Sequence, residues 1–314
     1  MFYKVLIAAD SSPSSLAVLS CAKSLYLLGT RECVLAQCFR IREHVAFPDQ
    51  IKDYVISTLD RQKAILERQD IRTTVVAESG LPAIQIPRIA KERNCSLIVI
   101  GSHGHNLASE ILLGGTATEI IHQAKKPILI IHLKTDEQTS QVVYTERGKN
   151  MMHHVLYATD FSDHSVQAFD YVSKFVECGA LRVTLLHVQD KVRLGTHLID
   201  RLEEFNEIDQ KRLELLKERL EKIGNAQINI EIPYGSPTSE ILERTKATDI
   251  SVIIMGSHGR GFVSELFLGS VSHNLARHSK IPVLLIPRHL ENTSIAKESH
   301  TPATRKKDRS DKGI

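Results

Sequence analysis

The sequence predicts an α/β fold of two tandem doubly wound parallel-sheet domains, Rossmann-like in their layering. A phrase written twice is the first reason: residues 101–114 read GSHGHNLASEILLG and residues 256–269 read GSHGRGFVSELFLG. The second is a constant offset, since Gly101 to Gly256 and Gly80 to Gly235 are each 155 residues (256 − 101; 235 − 80). So long a period is a whole domain, not a solenoid unit. The third is the alternation of continuous apolar runs with amphipathic stretches in each copy. Buried parallel strands joined by right-handed helical crossovers read that way.

Copy one opens on Lys4-Val5-Leu6-Ile7-Ala8-Ala9, the run of a strand buried on both faces. Asp10-Ser11-Ser12-Pro13 supplies loop and helix-cap chemistry, and Leu16, Ala17, Leu19 and Cys21 follow at helical spacing. A second strand is expected over 33–38, a long charged helix over 51–68 and a third strand over 73–76. Gly80-Leu81-Pro82 turns into a helix running through Ala90. Leu97-Ile98-Val99-Ile100 is the fourth strand, 111–123 the last helix and 127–131 the last strand.

Copy two repeats the order. A strand over 155–159 leads into Asp160-Phe161-Ser162, then a helix near 164–178 and a strand over 183–188. The amphipathic helix over 202–223 carries Leu202, Phe205, Ile208, Leu213, Leu216, Leu220 and Ile223, a stripe read as core. A strand over 228–232, the Gly235-Ser236-Pro237 turn and strands over 252–255 and 283–286 complete the set. The domains are expected at 1–134 and 153–290, with a charged linker over 135–152. Residues 291–314 are a basic tail, rich in Lys, Ser and Thr, expected to be disordered.

A composition 42% hydrophobic and 25% charged is that of a globular protein. The net charge of +3 is too small to argue for a nucleic-acid groove, and much of the excess sits in the tail. No run approaches the roughly 18 apolar residues of a membrane span, and the N-terminal run lacks the cleavage site of a signal peptide. The five cysteines form no CxxC pair and have no His partner at zinc spacing. A cytosolic protein is expected.

In doubly wound sheets ligands sit beyond the carboxyl ends of the strands, at the switch point. The loops after strand one (Asp10; Asp160) and strand four (Gly101; Gly256) are therefore the candidates. In copy two, Gly256-Ser257-His258-Gly259 is followed after nine residues by Gly269-Ser270. Glycine admits an anion to the backbone and permits φ > 0 where N–H groups converge. The second glycine opens the last helix, whose orphan N–H groups and dipole favour phosphate, with Ser270 and Ser272 as added hydroxyl donors. The Asp160 carboxylate can hold a ribose hydroxyl or a cation.

These residues resemble the universal stress protein family in its tandem, E-type form. The resemblance rests on Gly256-x-x-Gly259, the nine-residue gap, Gly269-Ser270 and the early Thr159-Asp160-Phe161-Ser162, and it covers all but linker and tail. It implies a HUP-type fold with an adenine nucleotide, ATP or AMP with or without Mg²⁺, across the strand ends. Asp160 would meet the ribose and Val188 and Met255 frame the adenine. Gly256, His258 and Gly259 with Gly269, Ser270, Val271 and Ser272 would hold phosphate. It also implies dimer-like packing through the last strands, Ile128–Ile131 against Val283–Ile286, as an internal pseudo-dimer; a homodimer and a protein partner stay open.

Copy one departs from the pattern. Gly115 follows Gly114 where the family's ATP-binding members carry Ser or Thr, though Thr116 is adjacent, and Gln37-Cys38 stand in place of His187-Val188. The lost hydroxyl is about 1.5–3 kcal/mol of charge-assisted hydrogen bonding. Asp10, Gly101, His103, Gly104, Gly114 and Thr116 thus form the weaker candidate site. No GxxxxGK[ST], GxGxxG or GxSxG motif is present. No general base is evident, so a slow Mg-dependent ATP hydrolase is the third reading, behind a nucleotide-sensing module and a scaffold that has lost nucleotide. His153 and His154 are expected to point apart on a strand, unlike a chelating pair.

Overall fold

Ten strands line up in one sheet whose two halves repeat each other. The computed structural model of the chain describes residues 1–10, 12–39, 48–102, 113–135, 142–144, 150–259 and 268–287. The first half contains β1 (Lys4–Ala9), α1 (Pro13–Val18), α2 (Ala22–Leu27), β2 (Glu32–Phe39), α3 (Pro48–Glu67), β3 (Arg72–Ser79), α4 (Pro82–Glu92), β4 (Leu97–Gly101), α5 (Gly115–Gln123) and β5 (Ile128–Ile131). Two short strands follow, β6 (Leu133–Thr135) and β7 (Val142–Tyr144). The second half contains β8 (His154–Ala158), α6 (Asp163–Glu177), β9 (Arg182–Leu186), β10 (Gln189–Asp190), α7 (Lys191–Leu194), α8 (Leu202–Glu221), β11 (Gln227–Glu231), β12 (Tyr234–Gly235), α9 (Pro237–Ala247), β13 (Val252–Gly256), α10 (Ser270–His278) and β14 (Val283–Ile286).

The sheet order is β11-β9-β8-β13-β14-β5-β4-β1-β2-β3. Within each half the strands are parallel and run third, second, first, fourth, fifth, which puts the switch point between the first and fourth. The halves join antiparallel through their last strands, with Val283 opposite Ile130, Leu284 opposite Leu129 and Leu285 opposite Ile128. A strand buried on both faces with an open edge must be covered or paired, and here each last strand covers the other's edge.

Successive side chains feed opposite faces of the sheet. Val5 and Ile7 enter the core beneath α1, α2, α3, α6 and α8, whereas Leu6 enters the one beneath α4, α5, α9 and α10. The run from Leu16 to Cys21 forms a broken helix, with a 3₁₀ turn at Leu19–Cys21 between α1 and α2. Where the expected first domain meets the expected linker, β6 and β7 pair antiparallel, Leu133 with Tyr144. The tail lies outside the described residues.

Candidate functional site

Neighbouring strands bring the two loops of the second domain together. Met255 pairs with Ala158, so Asp160 after β8 and Gly256 at the end of β13 leave the sheet side by side. The Asp160 turn is held from below. Tyr157 is fully buried, its hydroxyl donates to the Ser165 carbonyl at 2.6 Å, and burial pushes its pKa up to about 12. Ser162 caps α6 by accepting from Ser165 N, and Asp160 Oδ1 accepts from Ser162 N at 3.1 Å. Phe161 sits at φ 57°, a left-handed conformation uncommon outside glycine, with its N–H donating to Thr159 Oγ1 at 3.0 Å. Strain of that kind gathers where a loop must present particular groups.

The glycine loop works by closeness rather than by positive φ. Gly256, Gly259 and Gly269 are absent from the described glycines with φ > 0, which corrects the expectation of left-handed turns there. A Cβ on Gly256 would stand 2.9 Å from His164 Cβ, so α6 packs directly on the strand end. Gly269 is the N-cap of α10, with no side chain bonded into that cap. The first N–H groups of α10 therefore face the cavity with the positive end of the helix dipole. Ser270 is exposed in this turn. Ser272 is buried and its hydroxyl donates to Gly256 O at 3.0 Å, so it braces the strand end instead of offering a donor, a second correction. His258 Nδ1 lies 2.7 Å from Ser257 Oγ, and its ring packs 5.4 Å from that of His164.

A cavity of about 860 Å³ opens over these loops. Asp160, Val188, Met255, Gly256, His258 and Gly259 line it, as do Gly269, Ser270, Val271 and Ser272, so all ten residues expected in copy two meet in one space. The roof is unexpected. Phe205, Ile208, Asp209 and Arg212 of α8 face the cavity, with Leu194 and Arg193 of α7 beside them. The stripe expected to be wholly core is so only in part. Leu213 and Leu220 are buried, whereas Phe205 and Ile208 cover the cavity. Asp209, Gln189, Arg193 and Arg212 belong to no motif. The available signal was Asp209 itself, a carboxylate four residues before Leu213 inside the apolar spacing.

The first domain keeps the same turn with different chemistry. Asp10 Oδ1 accepts from Ser12 N at 3.0 Å and from Ser12 Oγ, and Gln62 Nε2 of α3 donates to Asp10 O at 3.3 Å. Gly101 ends β4, Gly114 is the N-cap of α5, and Thr116 is exposed in the first turn. The helix begins at Gly115. His103 and Gly104 lie outside the described residues. Among the described residues no group of three or more His, Cys, Asp or Glu side chains is gathered as a metal would need.

His153 and His154 do not point apart. His153 precedes β8 and bends back, so His153 Nε2 (2.9 Å) and His154 Nδ1 (2.8 Å) both reach Asp249, which Arg182 also binds. This cluster lies at the opposite end of β8 from the cavity.

Comparison with known proteins bears on both domains. The model of the universal stress protein family matches residues 1–132 and 151–287. Universal stress protein MJ0577 of Methanocaldococcus jannaschii is 35% identical over 153 residues, which are 43% of this chain and 94% of that protein. A universal stress protein of Mycolicibacterium smegmatis is 26% identical over 247 residues, covering 76% of this chain and 74% of its own. Among solved structures, a universal stress protein from Archaeoglobus fulgidus superposes with a TM-score of 0.65 at 23% identity, over 92% of this chain and 99% of that one. At that identity the likeness speaks for the fold alone.

Proposed function

The chain belongs to the universal stress protein family, with one family domain over residues 1–132 and another over 151–287, and from there we propose that it binds an adenine nucleotide, ATP or AMP, in the second domain. Binding makes it a nucleotide-sensing module of the stress response. The reading places it in the cytosol, where its five free cysteines would stay reduced.

The observation that carries this reading is the meeting of the ten candidate residues in one cavity at the strand ends. Ligands of doubly wound sheets bind at that switch point. Val188 and Met255, each less than a tenth exposed, offer apolar walls for a base. Asp160 offers a carboxylate for ribose hydroxyls, or for a Mg²⁺ carried in with the phosphates. The open first turn of α10, with the backbone where the loop reaches Gly259, offers N–H donors to the phosphates; the Ser257 N–H is already given to Ile286 O. In the first domain Gly115 stands where α10 has Ser270, so that hydroxyl is missing and binding there is weaker.

Mass spectrometry of ligand released from purified, undialysed protein tests the reading. About one adenine nucleotide per chain is the expected result for a single strong site. Finding none, with no ATP uptake on titration, would replace the sensing module by a scaffold working through its surfaces.

A further inference from the structure

Asp209 of α8 is only 8% exposed, and three neighbours surround its carboxylate. Gln189 Nε2 donates to Oδ2 at 3.0 Å and Arg212 Nη1 to Oδ1 at 3.1 Å. His187 Nε2, just past the end of β9, stands 3.3 Å from Oδ2. The other nitrogen of His187 donates Nδ1–H to Thr159 O at 2.8 Å, at the head of the Asp160 turn, and its ring packs 4.7 Å from Phe161. One buried carboxylate thus ties the cavity roof to the strand end and, through His187, to the turn that carries Asp160. Burying a carboxylate is costly unless hydrogen bonds and charge meet it, and here all three neighbours do so.

The first domain is the internal control. Buried Val55, Leu59 and Leu66 on α3 repeat the spacing of buried Asp209, Leu213 and Leu220 on α8, so Val55 takes the place of Asp209. Val5 pairs with Cys33 as Val155 pairs with Val183, which sets Gln37 and Phe39 where the second domain has His187 and Gln189. The same helix docks on the same sheet without the carboxylate and the imidazole; Gln37 stands in place of His187, and Gln62 of α3 reaches the turn by donating to Asp10 O. The fold requires neither the carboxylate nor the imidazole.

We infer that Asp209 is a positioning residue, a latch that holds α8 closed over the cavity and sets how long a bound ligand stays. The identity of the ligand rests on the adenine-nucleotide reading; the latch does not. A proton is part of it. With Nδ1–H committed to a carbonyl, the Asp209 contact becomes an ion pair only when Nε2 is protonated too. Asp209 of α8 touches His187, and the other charged or titratable residues that line the cavity with it are Arg212 of α8, Asp160 after β8, Asp190 and Arg193 in the wall, and His258 after β13. Glu231 of β11 accepts the His187 N–H through its carbonyl at 3.1 Å, while its carboxylate is held by Arg244. Raising the pH removes the Nε2 proton and loosens the roof.

The test uses the full chain with radiolabelled ATP chased by unlabelled ATP, from about pH 6 to pH 8. Asp209→Val, which installs the residue of the first domain, is expected to shorten ATP residence about tenfold or more with little change in association rate. Residence on the native chain should shorten as pH rises and stay flat in Asp209→Val. His187→Gln, which copies Gln37, should also be flat. Unchanged residence in Asp209→Val, or equal pH profiles in all three, overturns the latch. Should the native chain bind no ATP, the nucleotide reading fails by itself, and hydrogen exchange of the ligand-free chains decides the latch. Faster exchange in Asp209→Val confined to the first half of α8 supports it, and unchanged exchange overturns it.

Discussion

A Cβ built on Gly259 would stand 2.6 Å from Oδ2 of Asp160, so the turns after β13 and β8 touch with no room for a side chain between them. Swinging Asp160 aside would cost the bond that its Oδ1 accepts from the Ser162 N–H at the start of α6. The contact ties the phosphate-loop candidate to the ribose candidate.

Gly259→Ala is therefore enough to disturb the site. The added methyl must displace the Asp160 carboxylate, at a stability cost of about 1–2 kcal/mol for a local overpacking. Calorimetric titration should show ATP affinity reduced about tenfold or more, while urea unfolding stays cooperative. Native affinity in this variant would remove the Gly259–Asp160 contact from the site.

Ser272→Ala probes the brace rather than the ligand. Its hydroxyl holds Gly256 O at 3.0 Å in a buried setting, and the first domain manages with Ala117 at the matching place in α5. The expected loss is about 1 kcal/mol of stability, the ordinary worth of one such bond. ATP affinity should fall less than in Gly259→Ala. A larger fall would mean that the hydroxyl turns to the ligand.

Much of this arrangement is legible in the sequence because it rests on local chemistry written twice. Apolar runs such as Ile98-Val99-Ile100 and Val252-Ile253-Ile254 mark central strands, and the repeated GSHG points to the ends of β4 and β13 as the candidates. The joining of β5 to β14 is what the family resemblance implies and not something the apolar runs specify; in the structure it gives each last strand a partner at its edge. What stays illegible depends on docking angle. The periodicity of α8 says that Phe205 and Ile208 share a side with Leu213, not that the helix overhangs the sheet and leaves them above a cavity. Glycine types likewise do not reveal whether positive φ or close approach is needed; at Gly256 the neighbour is His164, distant in sequence. His153 and His154 mislead because alternation holds only inside a strand, and β8 begins at His154.

Leu284→Asp tests the joint between the halves. Leu284 is 1% exposed and faces Leu129, 2% exposed, across the antiparallel pairing. An unpaired carboxylate there costs on the order of 4 kcal/mol or more. Thermal unfolding of the native chain should give one transition. The variant should unfold in two steps or fail to accumulate as soluble protein. A single native-like transition would mean that the halves are held together elsewhere.

His154 gives stability a dependence on acid that can be assigned to one side chain. It is buried, with Nδ1 on Asp249 and Nε2 2.9 Å from Thr184 Oγ1, so the neutral ring already has a partner at each nitrogen. Burial, with Arg182 and His153 close by, pushes its pKa down from 6.5 to about 4. Between those values the folded chain keeps the ring neutral, whereas the unfolded chain takes up a proton. The unfolded state then binds more protons, so stability rises with pH across the window. The contribution is whole above pH 6.5 and is lost as the pH falls toward 4, with a slope approaching about 1.4 kcal/mol per pH unit. Carboxylates titrate near the lower end, which makes the difference between two chains the useful quantity. Urea unfolding at steps from about pH 7 to pH 4.5 should show a steeper loss in the native chain than in His154→Gln, whose amide carries no proton to gain. Equal slopes would mean that Asp249 keeps the ring charged in the fold and that burial does not set its protonation.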